Sequence, residues 1–212
     1  MKVTVVDYGV GNLLSVQRAL EACGGATVMA TTAEEVLRAE RLVLPGVGAF
    51  HACIDALRRR RLLDSLLSFA ETKRPLLGIC VGMQMLLDYG TEFGEHEGLR
   101  LIPGHVAAVP ANGSDGQPHK IPHIGWSRLI RPAEAPSWQH GILADLPDEP
   151  EVYFVHSFAA NPDDPQQRLA DCDYHGRKIC AVVGRDNIHG CQFHPEKSGP
   201  VGLKILSRFL AL

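Results

Sequence analysis

The sequence predicts an α/β fold: an open, mostly parallel sheet with helices on both faces, a cysteine nucleophile elbow, and antiparallel hairpins in the second half. Three observations carry this expectation. Up to Gly90, short Val- and Leu-rich runs alternate with stretches of helical periodicity, the signature of a covered parallel sheet. One of those runs, Leu76-Leu77-Gly78-Ile79-Cys80, ends in Gly-x-Cys-x-Gly and passes straight into a helix-forming segment. After Gly90 the apolar runs shorten and are broken by prolines and by residues 111–118, which reads as hairpins with one long exposed loop.

Taken in order, Lys2 to Val6 is a strand buried on both faces. Asn12 then caps a helix carrying Leu13, Val16 and Leu20 on one face, which stops at Cys23-Gly24-Gly25. Gly9-x-Gly11 begins like a dinucleotide loop, but Leu14 stands where the third glycine belongs, so no Rossmann cofactor site is expected. Ala26 to Ala30 is a second strand, and Thr32 with Glu35 has capping-box spacing. Arg41 to Leu44 is a third strand running into Pro45-Gly46-Val47-Gly48; the glycines leave the backbone free either to make a tight turn or to aim an N–H at an oxyanion. Residues 51–70 have one helical pattern, with Arg58 to Arg61 as a solvated helix end. The elbow helix extends to Tyr89-Gly90, and 151–158, 169–174, 179–183 and 188–193 read as strands, the middle pair a hairpin. A closing helix begins near Pro200. One domain spans 1–212.

A formal net charge of -3 gives no electrostatic reason to expect nucleic acid or an anionic membrane. The amino terminus lacks a signal peptide's apolar core, and no uncharged apolar run has spanning length, so the cytoplasm is the expected address. Six cysteines without C-x-x-C spacing argue against a zinc ribbon or a disulfide framework. His119 and His123 tempt a metal reading, but Pro122 breaks any helix that would align them. Neither metal nor cofactor is expected.

At a helix start, Cys80 meets orphan N–H groups that favour a thiolate, although a buried structural cysteine between two packing glycines has the same pattern. A nucleophile needs a base, and the base an orienting acceptor. His194-Pro195-Glu196 supplies both just after a strand. Strands ending on one sheet edge bring their following loops together, so Cys80 and His194 can meet.

Gly78 to Gln84 with Phe193-His194-Pro195-Glu196 resembles the Cys-His-Glu triad of class I glutamine amidotransferases. Asp7 to Asn12, Leu44 to Phe50, Pro122 to Trp126, Tyr153 to Phe158 and His194 to Ser198 narrow the resemblance to the glutaminase subunits of imidazole glycerol phosphate synthase; a related glutaminase serving pyridoxal phosphate synthesis is not expected to carry Pro122 to Trp126. The resemblance implies glutamine hydrolysis by Cys80, His194 and Glu196, with the N–H of Val81 and of Val47 or Gly48 as the oxyanion hole. It further implies Gln84, Glu92, His156 and Ser157 around the substrate's amino-acid end. The implied partner is a (βα)8-barrel synthase (cyclase) subunit that receives ammonia, with Asn12, Tyr153 and Lys197 at the interface. The remaining cysteines (23, 53, 172, 180 and 191) read as small buried apolar residues.

Overall fold

The structure is a computed structural model describing all 212 residues. Its strands are β1 (Lys2–Val6), β2 (Ala26–Ala30), β3 (Leu42–Gly46), β4 (Leu76–Cys80), β5 (Tyr89–Gly90), β6 (His96–Glu97), β7 (Gly104–Ala108), β8 (His123–Ile130), β9 (Glu151–His156), β10 (Phe158–Pro162), β11 (Arg168–Tyr174), β12 (Arg177–Arg185) and β13 (Ile188–Cys191). The helices are α1 (Leu13–Ala22), α2 (Ala33–Leu37), α3 (Phe50–Arg59), α4 (Leu63–Glu71), α5 (Val81–Gln84) and α6 (Gly199–Leu210).

A nine-stranded sheet runs β2-β1-β3-β4-β13-β12-β11-β8-β9. Its first five strands are parallel and the remainder antiparallel. β4 is central and buried at all five positions, as its uninterrupted apolar sequence requires. A second sheet, β10-β7-β5-β6, has no counterpart among the expected elements. β7 pairs with β10 and β5 rather than forming a hairpin with β8, a correction to the expected run of simple hairpins. The β11–β12 hairpin is present as expected.

Other expectations differ too; the single strand expected over 151–158 is two, β9 and β10, in separate sheets. The helix expected over 51–70 is two helices, because Arg61 sits at φ 57° and ends α3 within the arginine run. The elbow helix is a single turn, since Gly98 and Leu101 tie the chain back onto 85–88 instead of letting it continue. Asn12 precedes α1 but its side chain makes no capping bond, whereas the Thr32–Glu35 capping box is complete. No helix is long and apolar enough to cross a membrane.

Backbone close approach explains the elbow glycines. A Cβ on Gly82 would stand 1.9 Å from the Leu44 carbonyl oxygen, and one on Gly78 would stand 2.6 Å from that of Gly82. Real side chains never approach backbone so closely, so β3, β4 and the elbow turn pack as bare main chain.

Candidate active site

Register sets the site. In the parallel ladder Gly46 pairs with Cys80 and Cys191 pairs with Ile79, so three chain segments leave the sheet at one level. From β4 comes the elbow, from β3 the 46–49 loop, and from β13 the His194 turn. This is the strand-edge convergence that brings Cys80 and His194 together.

Cys80 has φ 56° and ψ −115°. A non-glycine residue held there stores roughly 1–3 kcal/mol of backbone strain, sustained because the surrounding packing leaves no alternative. Cys80 is 5 % exposed and lines a cavity of about 310 Å³.

His194 is held at 2.8 Å through Nδ1 to Glu196 Oε1, with both side chains almost wholly buried. That bond leaves Nε2 for the sulfur of Cys80. Burial would lower the imidazole pKa, but bonds to Cys80 and Glu196 outweigh it and raise it to about 9. The ring is therefore built to carry a proton. Glu196 Oε2 is buried without a partner, so the carboxylate serves the imidazole alone. Ser198 clamps this turn: its hydroxyl donates to the His194 carbonyl at 2.6 Å and accepts from Tyr153 N–H at 2.9 Å. The His194 N–H in turn donates to the Tyr153 carbonyl at 3.0 Å, which stitches the His194 turn to β9.

The facing wall is the 46–49 loop. Gly48 has φ +89° with open space where a Cβ would stand, and Val47 is 38 % exposed. Side chains anchor this loop from behind and from its end. Tyr8 donates its hydroxyl to Pro45 O at 2.6 Å, Cys53 its thiol to Val47 O at 3.3 Å, and Phe50 N–H donates to Glu92 Oε2 at 2.8 Å. Glu92 thus caps α3 as well as lining the cavity, and one carboxylate oxygen remains for a ligand.

Gln84 is buried, and its amide nitrogen donates to Phe158 O at 2.9 Å and to Gln192 Oε1 at 3.0 Å. Only its carbonyl oxygen is left for a ligand. Next to it, His156 Nδ1 donates to Phe158 O at 2.9 Å. With Nδ1 carrying the proton, His156 Nε2 accepts from His123 Nδ1 at 3.1 Å, and His123 Nε2 accepts from the Ser127 hydroxyl at 3.0 Å. Burial lowers both histidines to about 4, so the pair is neutral. His119 bonds Pro110 O instead, and no group of three or more His, Cys, Asp or Glu is placed to hold a metal.

The cavity brings together Val47, Gly48, Cys80, Val81, Gln84, Glu92, His156, Ser157 and His194, with Glu196 directly behind the last. Asn12, Tyr153 and Lys197 lie outside it. Lys197 is exposed, while Tyr153 is half-buried beside the exposed Trp126, ring centroids 6.1 Å apart. Of the other cysteines, 53, 172, 180 and 191 are buried as expected; Cys23 is only partly so, and Cys53 bonds the loop rather than merely packing. Gln192 is a site residue that the sequence pattern does not announce, and Ser198 enters that pattern only as the end of the His194 block. Both stand beside the His194 motif, but only tertiary contact gives either a role.

The family described as "Glutamine amidotransferase class-I" matches residues 4–212. The chain is 52% identical over 210 residues to imidazole glycerol phosphate synthase subunit HisH 1 of Legionella pneumophila (strain Paris), covering 99% of each. It is 45% identical to subunit HisH of Geobacillus thermodenitrificans (98% of this chain, 94% of the relative) and 44% identical to that of Geobacter sulfurreducens (98% and 97%). Among solved structures, a glutamine amidotransferase superposes with TM-score 0.72 at 15% identity, covering 99% of each chain. A chain of PurLQS from Thermotoga maritima gives 0.69 at 18%, covering 99% of this chain and 97% of that one. These two likenesses establish the fold.

Proposed function

The chain belongs to the class I glutamine amidotransferases, and among them to the HisH subunits of imidazole glycerol phosphate synthase; from that premise we propose that one domain, residues 1–212, hydrolyses glutamine and passes ammonia to a synthase partner in histidine biosynthesis. Cys80 thiolate attacks the side-chain amide carbon, and the proton held by His194 goes to the departing ammonia. Glu196 keeps the imidazole in the orientation and tautomer that this transfer needs. Water then attacks the glutamyl thioester, His194 takes its proton, and Cys80 is released with glutamate. The N–H of Val81, with that of Val47 or Gly48, stabilises the tetrahedral oxyanion. Glu92 offers its free oxygen to the substrate ammonium, Gln84 its amide oxygen, and the 156–158 segment its backbone. The observation that carries this reading is the buried Glu196–His194 pair, 2.8 Å apart, set against a cysteine at a strained elbow.

Ammonia released into water near neutral pH becomes ammonium, which is not a nucleophile. A partner that covers the cavity and takes ammonia directly removes that loss. The partner in this reading is a (βα)8-barrel cyclase subunit, bound in the cytoplasm over the exposed apolar residues Val47, Ile121 and Trp126. Asn12, Tyr153 and Lys197 dock it and couple its ligand state to the site.

The test is glutamate formation from glutamine, with and without the barrel partner and its nucleotide ligand. Cys80→Ala is expected to abolish it; equal activity in the stimulated complex would overturn the mechanism. Lys197→Ala is expected to reduce the stimulation by partner more than glutamine affinity, and unchanged stimulation would remove Lys197 from the coupling role.

A further inference from the structure

Gln192 is fully buried, two residues before His194, and its main-chain N–H is tied to Ala181 O at 2.8 Å. Its side chain lies between Gln84 and the nucleophile, with the amide nitrogen 3.9 Å from Cys80 Sγ and the amide oxygen 3.0 Å from Gln84 Nε2. An amide can be built either way round, one end donating and the other accepting, so its orientation must come from its neighbours. Here the neighbours decide it. The Phe158 carbonyl can only accept, so Gln84 must turn its nitrogen toward it. That nitrogen's second hydrogen needs an acceptor, so Gln192 must offer its oxygen to Gln84. The Gln192 nitrogen is then left facing the sulfur.

We infer that Gln192 is a positioning residue for the nucleophile, an amide N–H whose polarity is fixed by the Phe158 carbonyl through Gln84 and which holds Cys80 as thiolate. The inference rests on Cys80 being the nucleophile. A thiolate is acceptor only, and a buried donor that cannot reverse favours it over the thiol, which must place a hydrogen somewhere. The bond to sulfur is long, as contacts to a large polarisable atom are, so its effect is selective rather than strong. It acts in both half-reactions. When the sulfur attacks the amide carbon the N–H loses its charged acceptor. When water attacks the thioester carbonyl and the C–S bond breaks, the electron pair returns to sulfur and meets the same waiting donor. His194 handles the proton in each case; Gln192 transfers nothing.

The relay also joins the nucleophile to the cavity wall. Phe158 lines the site and begins β10, so a shift of that carbonyl would free a Gln84 hydrogen and remove the constraint that orients Gln192.

Two variants of the full chain test this. Gln192→Glu keeps the acceptor for Gln84 but turns an oxygen to the sulfur, and Gln192→Met keeps the bulk without the donor. The primary readout is the rate of Cys80 alkylation by iodoacetamide against pH, followed on the peptide containing Cys80, which reports ionisation without turnover. Both variants are expected to move that profile to higher pH, by about one pH unit or more, with Gln192→Glu the larger. In the complex with the synthase partner, kcat is expected to fall roughly tenfold or more while KM for glutamine stays within about threefold. An unchanged alkylation profile in both variants overturns the inference, and so does a change confined to KM. Loss of fold in both variants would assign Gln192 to packing and overturn it as well. Persistent turnover by Cys80→Ala would instead remove the nucleophile reading, leaving the alkylation profiles interpretable.

Discussion

The two walls that would cradle a tetrahedral intermediate are built in opposite ways. The elbow is main chain packed on main chain, with no room for a methyl group at Gly78 or Gly82 and every residue from Leu76 to Gln84 buried. The facing loop carries an exposed Val47 and a Gly48 with empty space around it, and it is held by bonds from Tyr8, Cys53 and Glu92. One wall is therefore set by sterics and the other by a handful of hydrogen bonds. Steric definition survives small perturbations until it fails altogether; hydrogen-bond definition degrades in steps, which makes the loop the adjustable half of the site.

Substitutions distinguish the two regimes, the largest effect first. Gly82→Ala puts a methyl group against the Leu44 carbonyl and is expected to cost about 3 kcal/mol or more, the upper range for overpacking, read as a large drop in Tm. A near-normal Tm would mean that the elbow is less tightly determined than its geometry says. Gly48→Ala meets no neighbour, so only its left-handed φ is penalised, by about 1–2 kcal/mol, and kcat is expected to fall more than stability does. If Gly48→Ala destabilises as much as Gly82→Ala, the contrast between the walls is wrong. Tyr8→Phe removes one anchor and leaves the Pro45 carbonyl unpaired in the interior, an expected cost of about 1 kcal/mol with reduced turnover.

Acid separates the walls differently. Burial lowers His123, His156 and His189 to about 4. Above the ordinary histidine value near 6.5 these groups are neutral in both folded and unfolded chains. As pH falls below it the unfolded chain binds protons that the native state refuses, so stability is expected to decline from about pH 6.5 to 4. His123 and His156 support the 156–158 segment, so chemical unfolding at pH 5 should show that segment exchanging amide hydrogens before the elbow does; simultaneous exchange would break the distinction. His194 has the opposite sign. Its protonated form is favoured up to about 9, so its contribution is complete below about 6.5 and is lost as pH rises through 9, where activity is expected to fall too. In Glu196→Gln that alkaline limb should move to lower pH.

The parallel half was legible because its rules are local. Continuous apolar runs such as Leu76 to Cys80 announce buried strands, and the Thr32–Glu35 spacing announces its capping box. The meeting of Cys80 with His194 and Glu196 was legible as two short motifs plus one topological rule. What local pattern could not supply was pairing between distant segments. β7 pairs with β10 some fifty residues on, which no periodicity announces, and the arginine run hid the break between α3 and α4 because each side is separately helical. Glu92 was expected only at the substrate; its bond to Phe50 N–H depends on a contact across 42 residues. The roles of Gln192 and Ser198 were illegible for the same reason, since a buried amide or hydroxyl acquires meaning only from what it touches.

The stitch between His194 and Tyr153 has a consequence outside chemistry. β9 is the last strand of the main sheet, and an uncovered last strand offers its N–H and C=O groups to any passing chain. The Tyr153 N–H and carbonyl are instead taken by Ser198 and His194, and Phe193 packs edge-on against Phe154 at 5.7 Å. The His194 turn thereby acts as a cap against strand addition and aggregation. Variants that loosen it would lose activity and solubility together, a pairing easily mistaken for simple misfolding.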